Sequence, residues 1–201
     1  FGWVGVVTNG TRGVDLPEAD LVLVSLDGTR EHHDAIRGRT YDRVLAGIAR
    51  PQAVLITNIG TAHIGPLGSQ EGIAREKKRA FHGFNGRQKA FLFEGEPYYR
   101  YLARGVRGQV IPFGPKSTPG FEGSEELGLD GTLIHWEGLR IRFPLFGYHN
   151  LLNALGALTL AVELGASREA VRGALETAAP LEGRSQILRG GPTVIQGCYN
   201  A

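Results

Sequence analysis

An unbroken apolar run, Ala53-Val54-Leu55-Ile56, passes straight into a polar, glycine-bearing loop, Thr57-Asn58-Ile59-Gly60-Thr61-Ala62-His63. Beyond it come Gly68-Ser69-Gln70-Glu71-Gly72-Ile73-Ala74 and then Lys77, a segment that reads as a helix opened by Ser69. Aliphatic residues without polar alternation suit a strand covered on both faces, as in parallel sheets. A strand that ends in such a loop and feeds a helix constrains the chain to an α/β arrangement. Open α/β sheets hold ligands beyond the carboxyl ends of their strands, and the Thr57–His63 loop falls at that place.

The remaining pattern agrees. Val4–Thr8 and the aliphatic run within Asp20–Leu26 predict two further strands, and Tyr41–Ala49 a helix stopped by Pro51. Together with Ala53–Thr57 these complete a βαβ unit. Residues 69–82 predict a helix and 89–93 a strand. From 105 to 146 the texture changes to short alternating runs, Thr132–Trp136 and Leu139–Phe143, separated by glycines, the pattern of antiparallel hairpins. Asn150–Leu164 predicts an apolar helix ended by Gly165, Ser167 caps another to about Thr177, and Thr193–Gln196 is a last strand. The expected fold class is therefore α/β, a mostly parallel sheet flanked by helices with a small antiparallel β subdomain.

Composition excludes several classes. The 201 residues can bury one good core with a small appended subdomain. A net charge of +2 is too near balance to argue for nucleic acid or an acidic membrane surface. No apolar run approaches the roughly 18–20 residues of a membrane span. Cys198 is the only cysteine, which fits a reducing, cytoplasmic compartment, and it reads as a small buried residue. No basic segment precedes the first apolar residues, so they do not read as a signal peptide. Methionine is absent and the first residue is Phe1, so the chain is expected to be a piece of a longer protein.

Lys77 is the most telling side chain. With Ile73, Ala80 and Phe81 it falls on the core-facing stripe of its helix, where a lysine must snorkel out or serve a purpose. Partial burial keeps more of the amine neutral, able to act as a nucleophile or to take up carbon dioxide as a metal-binding carbamate. The plain alternative is a stem covering apolar surface with its head in water. His63 can ligate a divalent cation or bond a ligand oxygen, or be an ordinary loop histidine. Asn150 reads as the cap of the long apolar helix, with Asn153 one turn on and close to His149. Carboxamides pair donor and acceptor groups that suit a purine edge, though a cap and a local hydrogen-bonder explain them as well. The cluster Glu31-His32-His33-Asp34 reads as a solvated loop, because adjacent residues do not face one ligand.

Taken together these residues resemble the central ATP-binding domain of the Mur ligases. The segments that carry the likeness are Ile48-Ala49-Arg50-Pro51 running into Thr57–His63, then Gly68–Lys77, Gly147-Tyr148-His149-Asn150 with Asn153-Ala154, Gly183-Arg184 and Tyr199-Asn200-Ala201. They occur in the family's order over residues 48–201. Within the family the chain is most similar to the type that adds D-alanyl-D-alanine to UDP-N-acetylmuramoyl-tripeptide. The resemblance implies ATP and Mg2+ as cofactors, and these two small molecules as substrate partners. It implies that ATP phosphorylates the substrate carboxylate and that the incoming amine attacks the acyl phosphate. By the same resemblance His63 assists magnesium and Lys77 is the carbamylated lysine. His149, Asn150 and Asn153 lie at the base, with Asn153 the direct contact. Arg184 reaches the phosphates or ribose, and Thr57 and Asn58 line the loop near the acyl phosphate.

The chain departs from the family pattern in places. No G-x-x-x-x-G-K-[ST] loop occurs, so the phosphate cradle is missing. Ser25 falls near the place of the magnesium-binding Glu, and Asp27 substitutes only with a shifted register. Gly197 occupies the place of an Asp. The UDP-binding N-terminal domain and the C-terminal domain are both absent, so the fragment alone is expected not to turn over. Two other readings stay open: a degenerate Mur-like domain that binds a partner or nucleotide, and a ligase of the folylpolyglutamate or cyanophycin synthetase kind.

Overall fold

The computed structural model describes residues 5–8, 21–24, 51–61, 64–180, 186–191 and 193–196. The chain divides into two units, Phe1–Ile111 and Pro112–Ala201.

In the first unit β1 (Gly5–Thr8) and β2 (Leu21–Val24) form a parallel pair. β3 (Ala53–Ile56) pairs in parallel with β4 (Lys89–Phe93), from Ala53 opposite Lys89 to Ile56 opposite Leu92. β5 (Gln109–Phe113) lies on the other side of β4. Gln109 N donates to Gln88 O at 2.9 Å, so β5 enters beside the start of β4 and runs with it. Ala90, Phe91 and Leu92 of this central strand are fully buried, which is why an apolar run rather than an alternating one encodes it. The expected helix 41–49 lies outside the described residues. The ladder partner of β2 is β1 and that of β3 is β4, so β2 and β3 are not neighbours among the described residues.

Among the described residues this unit carries three helices: α1 (Ile64–Leu67), α2 (Gln70–Lys78, continued by a 3-10 turn Arg79–Phe81) and α3 (Tyr99–Ala103). As predicted, Ser69 opens α2: its hydroxyl accepts from Gly72 N at 3.1 Å. Ile73 and Ala74 of α2 join Ile56, Ile59, Leu92 and Leu102 in one core. Phe81 packs edge-on to Phe84, with ring centres 5.4 Å apart.

The second unit carries an antiparallel sheet of β6 (Phe121–Glu126), β7 (Thr132–Trp136) and β8 (Leu139–Phe143). Thr132, Ile134, Trp136, Ile141 and Phe143 point into the core while Arg140 and Arg142 face solvent, the alternation seen in the sequence. The antiparallel strands thus occupy Phe121–Phe143, and Gln109–Phe113 sits beside β4 instead. α4 (Tyr148–Glu163) ends in a double wrap, with Gly165 N donating to Val162 O and Ala166 N to Ala161 O, both at 2.9 Å. Gly165 takes φ 86 there, the reason a glycine stops this helix. α5 (Arg168–Glu176), capped by Ser167 as predicted, packs on β8 and α4. β10 (Thr193–Gln196) is present, paired with a strand the sequence reading missed, β9 (Gln186–Arg189). Among the described residues no helix is long and apolar enough to cross a membrane.

Glu137 and Gly138 form the tight turn between β7 and β8, at φ 47 and φ 74. Gly131, at φ 106, is more constrained, because a Cβ there would stand 2.1 Å from Phe143 O. Gly138→Ala, with open space around it, should therefore cost about 1–2 kcal/mol, and Gly131→Ala more than about 3 kcal/mol because backbone must move. Equal losses in urea denaturation would contradict this account.

Candidate functional site

The loop after β3 is held from three directions. Ile59 buries its side chain in the core at 5% exposure, which takes its backbone out of water too. Its N–H donates to Glu96 Oε2 at 2.8 Å, and its carbonyl accepts from Gln70 Nε2 at 3.2 Å. One residue earlier, Asn58 O accepts from Lys77 Nζ at 2.7 Å. Gln70 and Lys77 both come from α2, whereas Glu96 comes from the turn between β4 and α3. Thr57 is half-buried at the end of β3 and Asn58 is exposed beside it. The structure therefore brings Thr57, Asn58 and Lys77 together at the carboxyl end of a parallel strand.

Lys77 differs from its expectation in one respect. Ile73 and Phe81 on its helix face are buried and Ala80 is half-buried, but Lys77 as a whole is exposed. Its long stem carries the amine past the core to the loop carbonyl. The nitrogen is nevertheless partly stripped of water there: desolvation lowers its pKa below the ordinary lysine value, and the Glu96 carboxylate opposes this by raising it. Water at the open surface screens the amine and limits that lowering.

The second group of expected residues opens α4. Asn150 is not the cap. The helix begins at Tyr148, and Gly147, at φ 89, occupies the cap position. Asn150 N and Leu151 N both donate to Gly147 O, and the Asn150 amide Nδ2 reaches back to Phe146 O at 2.8 Å. Asn150 thus braces the entry to the helix from within its first turn. His149 and Asn153 are exposed, one turn apart, while Leu151, Ala154 and Leu155 turn into the core. A cavity of about 350 Å³ lies next to this helix start, lined by Phe121, Ser124, Glu126, Thr132, Tyr148 and Leu151 among others. His149, Asn150 and Asn153 are not among its lining residues.

His63 and Arg184 lie outside the described residues, as do Ser25, Asp27, residues 31–34, Gly197 and Cys198. Among the described residues no three His, Cys, Asp or Glu side chains form a metal-binding group. Glu96 was missed by sequence reasoning. The sequence carries only a local hint, an acidic residue before Pro97 just past the apolar run Ala90–Phe93; its nearness to the β3 loop comes from the pairing of β3 with β4.

The sequence model of the Mur ligase middle domain matches residues 37–161. The UDP-N-acetylmuramoyl-tripeptide–D-alanyl-D-alanine ligase of Treponema pallidum is 35% identical over 159 residues, covering 79% of this chain and 34% of that relative. The chain spans about a third of the length of the curated relatives it matches. Among solved structures, MurF from Acinetobacter baumannii superposes with a TM-score of 0.78 at 23% identity, covering 99% of this chain and 46% of that one. The MurF ligase from Thermotoga maritima, in complex with ADP, gives 0.74 at 18% identity, with 99% and 48% covered. At these identities the structural likeness shows the fold.

With its pKa lowered, Lys77 should react with an amine-directed acylating reagent at a pH where ordinary exposed lysines remain protonated. Competitive labelling followed by peptide mass mapping reads this directly. Labelling of Lys77 that begins no earlier than that of a free lysine would contradict the partial desolvation.

Proposed function

The chain belongs to the Mur ligase family, and on that premise we propose that it is the ATP-handling part of the ligase that joins D-alanyl-D-alanine to UDP-N-acetylmuramoyl-tripeptide in peptidoglycan synthesis. The observation that carries the reading is Lys77, seated on the Asn58 carbonyl at the end of a parallel strand with its amine pKa lowered. The names of the relatives supply the substrates, and the ADP complex of a structural neighbour supports use of ATP.

The reaction has two steps. The tripeptide carboxylate takes the γ-phosphoryl group of ATP, releasing ADP, and the D-alanyl-D-alanine amine then displaces phosphate to form the amide. Lys77 prepares for the first. Its neutral nitrogen adds carbon dioxide, forms an N–C bond and loses a proton, so a cation becomes an anion with oxygen donors. That donor set fits a hard divalent cation, and Lys77 and His63 would hold the magnesium. Magnesium when bound supplies charge neutralisation at the phosphoryl oxygens. Thr57 and Asn58 line the edge where the acyl phosphate forms. On α4 the Asn150 amide is engaged by Phe146 O, so the direct contact with the base falls to Asn153, with His149 beside it. Arg184 reaches the phosphates or ribose. A single cysteine supports a cytoplasmic setting for this chemistry.

Ser25 and Gly197 favour a second reading, a Mur-like domain that binds nucleotide or a partner without ligating. The relatives' names weigh against a folylpolyglutamate-type activity. The test uses the complete protein that contains this chain. Calorimetry should detect ATP binding in the presence of magnesium, and Asn153→Ala should weaken it about tenfold, the loss of one hydrogen bond of about 1.4 kcal/mol. Lys77→Ala should lower ligation at least about a hundredfold, and a lysine carbamate carbon should appear in the NMR spectrum with labelled bicarbonate. Nucleotide binding without ligation would select the second reading; neither binding nor a carbamate would sink the proposal.

A further inference from the structure

Glu96 is 8% exposed, and no step of the proposed reaction uses it. Taking a carboxylate out of water is costly unless hydrogen bonds replace the water, so a buried carboxylate calls for a reason. Its own backbone is fixed: Glu96 N donates to Phe93 O at 3.1 Å, and Tyr99 N to Glu96 O at 2.9 Å. The carboxylate accepts from Ile59 N at 2.8 Å and from Tyr98 N at 3.3 Å. The shorter of these bonds crosses 37 residues of sequence to reach the β3 loop.

The Ile59 N–H and the Asn58 C=O are the two polar ends of one peptide unit. That unit is planar, so the two ends turn together. Glu96 holds one end and Lys77 Nζ the other, at 2.8 and 2.7 Å. A rotation of this plane that frees Ile59 N–H also turns the Asn58 carbonyl away from the amine. Gln70 grips the Ile59 carbonyl, which belongs to the next plane, and so cannot replace Glu96 in this. We propose that Glu96 is a positioning residue for Lys77: by accepting the Ile59 amide it sets the rotation of the Asn58–Ile59 peptide plane, and with it the seat of the Lys77 nitrogen. This deepens the ligase reading and rests on it. Glu96 touches no reacting atom and acts on the reaction through Lys77, by seating its nitrogen. Its charge also bears on that amine, and Glu96→Gln, which removes the charge and keeps the bond to Ile59 N, separates the two.

The test compares Glu96→Ala and Glu96→Gln in the complete protein, reading amide hydrogen exchange at Ile59 together with ligation kinetics. Gln keeps an oxygen within reach of Ile59 N and gives up the longer bond to Tyr98. In Glu96→Ala the Ile59 amide should exchange about tenfold faster or more while the amides of β4 keep their protection. Turnover should fall about tenfold or more with the KM for ATP within about threefold, because misplacement of a reacting group acts on kcat. Glu96→Gln should restore both to within about threefold of the parent. Unchanged Ile59 exchange in Glu96→Ala overturns the proposal, and so does full turnover despite faster exchange. General loss of protection across β4 in both variants, with no rescue by Gln, overturns it as well, since Glu96 would then serve only stability. A parent protein that does not ligate rejects the ligase reading first; the proposal fails by itself when the parent and Glu96→Ala ligate equally fast.

Discussion

Burying Ile59 at the end of β3 removes a backbone N–H and C=O from water at the point where the strand ladder has ended and the next helix has not begun. Local secondary structure cannot satisfy either group there. An unpaired buried group costs about 1–3 kcal/mol, more than the roughly 1 kcal/mol that an ordinary hydrogen bond contributes, so partners must come from elsewhere. They come from Gln70 on α2 and Glu96 after β4. The loop's shape is therefore a joint property of three elements, and the seat of Lys77 depends on it. If the loop came loose the helix would still form, but its lysine would lose the Asn58 carbonyl.

The second unit solves a different problem. Its sheet buries one face and wets the other, and the turns that make this possible place Glu137 and Gly138 at positive φ. For Glu137 that costs about 1–2 kcal/mol, which a half-exposed ion pair to Arg168, worth at most about 1 kcal/mol, does not cover alone. Two further bonds hold the same turn, from Gly138 N to Glu122 Oε1 and from the Arg168 guanidinium to Glu137 O. The same economy of turns appears at α4, where Gly147 starts the helix and Asn150 braces it, leaving His149 and Asn153 on the outward side of an otherwise apolar helix.

Much of this was legible beforehand. Ser69 and Ser167 announced their helices because capping is a contact across three residues, and Gly165 announced an end because few other residues reach its φ. Strands β7 and β8 were legible from alternation, and β3 and β4 from its absence. The misreadings have physical causes. Asn150 carries a good cap side chain, but Gly147 upstream adopts a conformation open to glycine and begins the helix sooner. Lys77 lies on the buried stripe by spacing, yet spacing does not say how far a flexible stem reaches. β9 and α3 are short, and short segments take their state from what they pair with.

What the sequence by itself determined is local: where strands and helices start and stop, which faces are apolar, and which polar residues cluster at the end of β3 and the start of α4. Those follow from contacts among near neighbours and from the two periods of strand and helix. Only the tertiary structure decided which peptide plane Lys77 meets and what holds that plane still. Glu96 lies 37 residues from Ile59 and shares no repeat or spacing with it, so their bond exists only once β3 and β4 are side by side.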